Sequence, residues 1–129
     1  MTPKEYLSQY RDSLVRTNQL TAHLEQLREV SDGLSAEHGR HARLDESVAK
    51  LVDAQQETSA EIDRLVQLRA EISGVIDSIQ DDTLHYILYS KYINGEPFEQ
   101  IAVDLHYHYV SVCRLHGAAL KRIKDVIDC

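Results

Sequence analysis

Apolar residues recur at alternating three- and four-residue steps along the middle of the chain, from Leu44 to Ile79. This spacing is typical of a coiled-coil seam and predicts one long helix with an apolar stripe. The seam positions are Leu44, Val48, Leu51, Gln55, Thr58, Ile62, Leu65, Arg69, Ile72, Ile76 and Ile79. At about 1.5 Å per residue the helix extends roughly 50 Å, more than a compact chain of this size can cover by itself.

Three leucines on one helical face form a second apolar stripe earlier in the chain: Leu20, Leu24 and Leu27. They predict a helix from about Pro3 to Val30, with proline in the first turn, where it is tolerated best. The segment Ser31-Asp32-Gly33 is expected to end this helix, and a polar loop is expected from there to Arg43. The two long helices can then fold back on each other as a hairpin.

We expect two chains to associate through the long seam, as a homodimer. Four apolar residues beside the seam widen it beyond what one partner helix covers: Val52, Val66, Leu68 and Val75. The predicted dimer contacts are Leu44, Val48, Leu51, Ile62, Leu65, Ile72, Ile76 and Ile79. Polar Gln55, Thr58 and Arg69 within the seam reduce its stability but can fix register and oligomeric state. A long monomeric hairpin is the alternative.

The heptad pattern ends near residue 80, which divides the chain into a coiled-coil dimerisation region, 1–80, and a second domain, 81–129. Asp82 or Thr83 is expected to cap the first helix of that domain, from Leu84 to Ile93. This helix would support the two helices that follow it.

Two shorter apolar stripes complete the chain. The first contains Phe98, Ile101, Ala102 and Leu105, and the second contains Val112, Leu115, Ala119 and Ile123. A break of only three residues, His106, Tyr107 and His108, is expected between the two helices that carry these stripes. Two short helices joined this tightly are typical of a helix-turn-helix motif. In such a motif the outer side of the second helix is open to enter a major groove of DNA.

The run F-E-Q-I-A-x-x-L followed by V-x-R-L-H-G-x-A-L-K-R-I resembles region 4 of sigma-70-type factors, which reads promoter DNA. The chain is more similar still to small phage and prophage proteins, including ArpU- and RinA-like late transcription regulators. Its opening K-E-Y-L-S-Q-Y also resembles that family. The chain departs from the family in two respects, since the family usually has Gly or a small residue near His106, and Ser or Thr near His108 and Pro97.

The resemblance implies an all-α fold with a long N-terminal helical hairpin or coiled coil and a three-helix, sigma region 4-like helix-turn-helix. It also implies a phage-type transcription regulator that binds double-stranded DNA at a phage promoter as a dimer, with RNA polymerase as a candidate partner. The specific part of the resemblance covers about the last forty residues.

The distribution of charge agrees with DNA binding, although the net charge of the chain is -7. No acidic residue occurs between Leu105 and Lys124, where four cations give a local charge of +4. These cations are Arg114, Lys121, Arg122 and Lys124, and His106, His108 and His116 lie beside them in the sequence. Each phosphate that such a side chain neutralises releases a counterion, so the local charge matters more than the total.

Residues near the start of a recognition helix reach base edges, and residues farther along it meet phosphates. The predicted base contacts are Tyr109, Val110, Cys113 and Arg114, and the predicted phosphate contacts are His108, Ser111, Gly117, Lys121 and Lys124. Arg114 is the strongest candidate, because arginine can donate two hydrogen bonds to guanine N7 and O6. The alternative is a solvated helix face that is used for protein contact.

His106, His108, Cys113 and His116 form a loose set of metal-ligating residue types. Their spacing does not match that of a zinc site, so we expect no metal and no other cofactor. The chain also lacks a glycine-rich phosphate loop and a nucleophile elbow, and we expect neither an enzyme nor a small-molecule substrate.

The chain shows neither an apolar run of membrane-spanning length nor a signal-peptide pattern, so we expect a cytoplasmic protein without membrane contact. Its two cysteines, Cys113 and Cys129, have no framework spacing and are expected to be reduced. Two other functions remain open. One is a DNA-packaging protein similar to a small terminase subunit. The other is a sigma-mimicking protein that binds RNA polymerase without DNA.

Overall fold

The structure, a computed structural model, describes residues 1–35 and 41–128. It contains five helices, α1 (Pro3–Ser35), α2 (His41–Asp77), α3 (Asp82–Tyr92), α4 (Phe98–Leu105) and α5 (Tyr109–Ile127). Helices include 87% of the described residues, and no strand occurs among them, which confirms the all-α prediction. In this part of the chain no helix combines the length and the apolar character that a membrane crossing requires.

The first helix is longer than the sequence predicts. It continues through Ser31-Asp32-Gly33 to Ser35, and α2 begins at His41, so the prediction of a loop from Ser31 to Arg43 was wrong in its bounds. Glycine is only about 1 kcal/mol less favourable than alanine in a helix interior, a cost that a long helix tolerates. Residues 36–40 lie outside the described part of the chain.

Contacts divide the chain into two compact units. Unit 1 combines Met1–Asp12 with Gln67–Cys129, and unit 2 is Ser13–Val66. The core of unit 1 contains the apolar stripes of α3, α4 and α5: Ile87, Ile101, Ala102 and Val112 are buried, with Phe98, Leu105 and Leu115 packed against them. The same unit fully buries Leu7 of α1 and Ile72 and Ile76 of α2. The segment 81–129 therefore shares its unit with the first part of α1 and the last part of α2.

Unit 2 has a more polar interior. The Ser13 hydroxyl donates to the Glu61 carboxylate at 2.9 Å, and Arg16 lies 3.4 Å from the same carboxylate. Among its described residues, Leu24 and Ala54 are the buried apolar ones. These contacts join the α1 part of the unit to its α2 part.

Asp81 caps α3, one residue before the predicted Asp82 or Thr83. Its backbone is extended (φ -84°, ψ 116°), and its Oδ1 accepts a hydrogen bond from the Leu84 amide at 3.0 Å. Asp82 instead occupies the first helical turn, where a carboxylate interacts favourably with the positive end of the helix dipole. The helix thus begins at Asp82, two residues before the predicted Leu84.

The turn between α3 and α4 depends on Gly95, whose φ is 71°. The Arg11 guanidinium of α1 donates to the Ile93 carbonyl at 3.4 Å and lies over this glycine. A Cβ atom added to Gly95 would be 2.5 Å from the Arg11 Cζ atom. Glycine is favoured here by the left-handed backbone, and a Cβ atom would also displace the flexible end of the Arg11 side chain.

We expect Gly95→Ala to lower the free energy of unfolding by about 1 to 3 kcal/mol, since alanine is strained at this φ and contacts Arg11. Denaturant unfolding measures the loss, and in an Arg11→Ala background part of it should disappear. Gly74→Ala is the matched control: the space around Gly74 in α2 is open, so this change should be neutral or stabilising. An equal loss in both backgrounds would show that Arg11 does not crowd the turn.

Candidate nucleic-acid interface

The turn that joins α4 to α5 contains His106, Tyr107 and His108. His106 ends α4 in the left-handed conformation, with φ 58°, and its amide donates to the Val103 carbonyl at 3.2 Å. A residue other than glycine is uncommon in this conformation, which glycine adopts with less strain. His108 precedes α5 and Pro97 precedes α4, and neither side chain makes a capping hydrogen bond.

Helix α5 has one buried side and one exposed side. Val112, Ala119 and Ile123 are fully buried, and Leu115 is partly buried. Val110, Arg114 and Lys121 lie on the opposite side and are exposed. Val110 leaves 73% of its surface accessible, a large fraction for a valine near the start of an amphipathic helix. The outer side of α5 is therefore open to a partner.

His116 fixes the inner side of α5. Its Nε2 lies 2.6 Å from the Tyr92 hydroxyl of α3, and its ring meets the ring of Phe98 edge-on with centroids 4.8 Å apart. Burial, and then the nearby charges of Lys4 and Lys91, lower the pKa of His116 to about 4. The imidazole is therefore neutral at physiological pH and serves as a packed, hydrogen-bonded core residue.

The four residues considered for zinc do not form a metal site. In the described part of the chain, no group of three or more His, Cys, Asp or Glu side chains is arranged to hold a metal ion. His106 and His108 are exposed, whereas the Nε2 of His116 is hydrogen-bonded to Tyr92. Cys113 is a partly buried free thiol, and Cys129 lies outside the described residues.

The basic residues of α5 are exposed and available. Arg114, Lys121, Arg122 and Lys124 all lie at the surface. None of them forms an ion pair with a carboxylate of the described residues. By contrast, Arg16 and Lys50 of unit 2 do pair with glutamates. A helix with four cations that no described carboxylate neutralises attracts polyanions.

The predicted base contacts lie in the first two turns of α5. Tyr109 and Arg114 are exposed, as is Val110, whereas Cys113 is partly buried. A hydrogen bond with Cys113 is the main cause that raises the pKa of Tyr109, so these two side chains are neighbours. Cys113 therefore offers less surface to a partner than its helical position predicts.

The predicted phosphate contacts are spread along the same helix. His108, Lys121 and Lys124 are exposed, and Ser111 is partly buried. No atom lies within 4 Å of a Cβ atom added to Gly117, so open space surrounds the backbone there. Such open space permits close approach of another molecule to the helix backbone.

Two exposed residues close to α5 in the sequence were not predicted as contact residues. Val103, near the end of α4, exposes 65% of its surface, and Tyr107 in the turn exposes 44%. Val103 does show a sequence signal, because it is apolar at a position outside the α4 stripe. Tyr107 shows no such signal in the sequence, because a tyrosine in a turn can be buried as readily as exposed. Both lie within six residues of Tyr109 in the chain and extend the surface beyond α5.

The predicted dimer contacts fall into two groups. Ile72, Ile76 and Ile79 are buried within the single chain, so their apolar character requires no second copy. Val48 and Ile62 are exposed, and Leu51 and Leu65 are half-buried. The side chain of Leu44 lies outside the described residues.

Comparisons of the chain with protein-family models, with curated proteins and with solved structures found no match in any of the three. Function is therefore inferred from the residues and geometry of α2, α4 and α5.

Proposed function

We propose that this chain is a sequence-specific, double-stranded DNA-binding transcription regulator of the phage type, acting as a dimer in the cytoplasm and without enzymatic activity. In this proposal α3, α4 and α5 form a sigma region 4-like helix-turn-helix, and α5 is its recognition helix. The observation that carries the proposal is the outer side of α5. It combines exposed Val110, Arg114 and Lys121 with no acidic residue from Leu105 to Lys124.

The electrostatics of this surface favour duplex DNA. The four exposed cations of α5 can each neutralise a phosphate, and the released counterions favour binding. The acidic character of the chain is concentrated elsewhere, since 14 Asp and Glu but only 9 Lys and Arg precede Asp81. Phosphates would therefore repel the N-terminal part of the chain and attract α5.

Residues at different positions along α5 would contact different parts of the DNA. Arg114 lies in the second turn, where a recognition helix reaches base edges, and Val110 can pack against a thymine methyl group. Lys121 lies about two turns farther along and is placed for phosphate. The backbone at Gly117 can approach a phosphate closely because the space around it is open. Base reading and phosphate contact thus use one continuous helix face.

A dimer fits this mode of binding. Two recognition helices can occupy paired half-sites, and specific recognition by such motifs commonly uses two-fold symmetric protein. The N-terminal helical hairpin supplies the surface for association, because exposed apolar residues remain on α2 in unit 2.

The test compares two lysines in a salt series on a DNA site selected from random duplexes. We expect Lys121→Ala to weaken binding to all duplexes about equally and to reduce the slope of log K against log salt by about 0.9. Lys50→Ala is the matched control, because Lys50 is an equally exposed lysine that pairs with Glu46 of unit 2. It should leave both affinity and slope unchanged. Lack of measurable duplex affinity in the unmodified protein would refute the proposal.

The second candidate is a sigma-mimicking protein that binds RNA polymerase without DNA. The exposed apolar side chains of Val103 and Tyr107 favour it, since such residues are common at protein interfaces. The salt series separates the two candidates, because the mimic would show little duplex affinity. A small terminase-like packaging protein, the third alternative, would assemble into large rings that a mass measurement in solution detects.

A further inference from the structure

An apolar stripe without charge lies on the surface of α2 within unit 2. Its six positions follow one another at alternating steps of four and three residues, the heptad spacing. They are Val48, Val52, Gln55, Ser59, Ile62 and Val66. The four apolar members leave 42 to 63% of their surfaces exposed. None of the six residues is charged, although 27% of the whole chain is. Among the described residues of unit 2, no other helix face presents so many exposed apolar residues.

This stripe is distinct from the face of α2 that packs inside unit 2. The inner face includes buried Ala54 and Thr58, and Glu61, which binds Ser13 and Arg16. By helical geometry the stripe is centred roughly 100° around the helix from these residues. The charged residues Lys50, Glu57 and Arg64 lie at seven-residue spacing on the far side from the stripe. Helix α2 therefore has one face that packs inside unit 2, one charged face and one apolar face that the described residues leave exposed.

The order of residues in the stripe is symmetric about its centre. From either end, the stripe consists of two apolar positions, then two polar positions, then two apolar positions. If two such helices pair antiparallel, Val48 meets Val66 of the second copy and Val52 meets Ile62 of the second copy. Gln55 then meets Ser59 of the second copy, and an amide can donate to a hydroxyl. The stripe is self-complementary in this register, as a two-fold interface requires.

We propose that the stripe Val48–Val66 is the homodimer interface and that it binds the same stripe of a second copy in antiparallel orientation. The inference rests on the dimeric part of the proposed function and assigns its contact residues. Antiparallel pairing also opposes the two helix dipoles. The polar centre fixes the register, because a shift by one heptad would place Gln55 or Ser59 against valine or isoleucine. Ile72, Ile76 and Ile79 take no part, since they are buried within each chain.

The first experiment is sedimentation equilibrium of the full chain without DNA. Val52→Asp with Ile62→Asp should raise the dimer dissociation constant by about 100-fold or more, because four carboxylates would enter the interface. Both positions are exposed in the single chain, so helix content by circular dichroism should be unchanged. The matched control is Val15→Asp with Val30→Asp, two equally exposed valines on α1, and this variant should remain dimeric. A monomeric parent protein at micromolar concentration, or a stripe variant that still dimerises, would overturn the interface.

The second experiment determines the orientation by cross-linking. In a background in which Cys113 and Cys129 are replaced by serine, Val48→Cys chains are mixed with Val66→Cys chains under oxidation. Antiparallel pairing predicts a disulfide between the two kinds of chain, because such bonds need Cβ atoms about 4 Å apart. Disulfides only between identical chains would overturn the antiparallel orientation. Neither experiment involves DNA, so a failure of DNA binding and a failure of this interface are distinguished.

Discussion

Arg114→Ala is expected to weaken binding to the preferred DNA site by about 1 to 3 kcal/mol, roughly 5- to 150-fold, and to remove discrimination at one base pair. Arg114 is exposed in the second turn of α5 and pairs with no described carboxylate, so its guanidinium can donate to a guanine without breaking an existing bond. Binding titrations with the selected site and with its single-base variants measure both effects.

Arg114→Lys separates charge from geometry. Lysine keeps the charge but cannot make the planar two-pronged contact, so this variant should retain the salt dependence and lose the discrimination. If Arg114→Ala instead weakens every duplex equally, Arg114 contacts phosphate. If the folded variant binds the selected site as well as the parent, the outer side of α5 does not read DNA and the sigma-mimicking alternative takes precedence.

Acidification from pH 7 to pH 4 is expected to lower the free energy of unfolding by about 3 kcal/mol through His116 alone. The folded chain holds the pKa of His116 at about 4, because the imidazole is buried. In the unfolded chain its pKa returns to about 6.5, so only the unfolded state takes up the proton between these two values. The contribution of His116 is therefore complete above about pH 6.5 and is lost progressively down to about pH 4.

The measurement is the difference between two stability curves. Other groups also titrate in this range, and subtracting the curve of His116→Gln from that of the parent cancels them. Glutamine can still hydrogen-bond to the Tyr92 hydroxyl but does not titrate, so the variant should lose less stability on acidification. Parallel curves for the two proteins would contradict a buried neutral His116.

The short C-terminal helices could be predicted closely because their residues alternate between core and surface with a clear helical period. The predicted Val112 and Ile123 stripe is buried as expected, and His116 lies on the inner side of α5. Its bond to Tyr92 could not be predicted, since the two residues are 24 positions apart and either could have found another partner. The recognition-helix role and the DNA contacts remain predictions.

The sequence was less informative where distant segments meet. Gly95 is a residue type that is typical of turns. Nothing in the sequence around it indicates that Arg11, more than eighty residues earlier, lies against it. The seam from Leu44 to Ile79 also has a single heptad period, although its residues have different surroundings in the structure. Its last isoleucines are buried in unit 1, whereas Val48 and Ile62 face outward from unit 2. A heptad pattern records that a helix face is apolar and does not identify what covers that face.

Unit 1 is built from two separate segments of the chain, and this affects the order in which the protein folds during synthesis. Unit 2 is one continuous segment, so its helices can pair as soon as Ser13–Val66 has left the ribosome. Met1–Asp12 emerges before unit 2 but belongs with residues from Gln67 onward, and at typical translation rates it waits roughly 3 to 10 s for the first of them. During that time Leu7 and Tyr10 lack the core that buries them in the finished protein. Met1–Asp12 thus leaves the ribosome before unit 2 but reaches its final surroundings after unit 2 can fold.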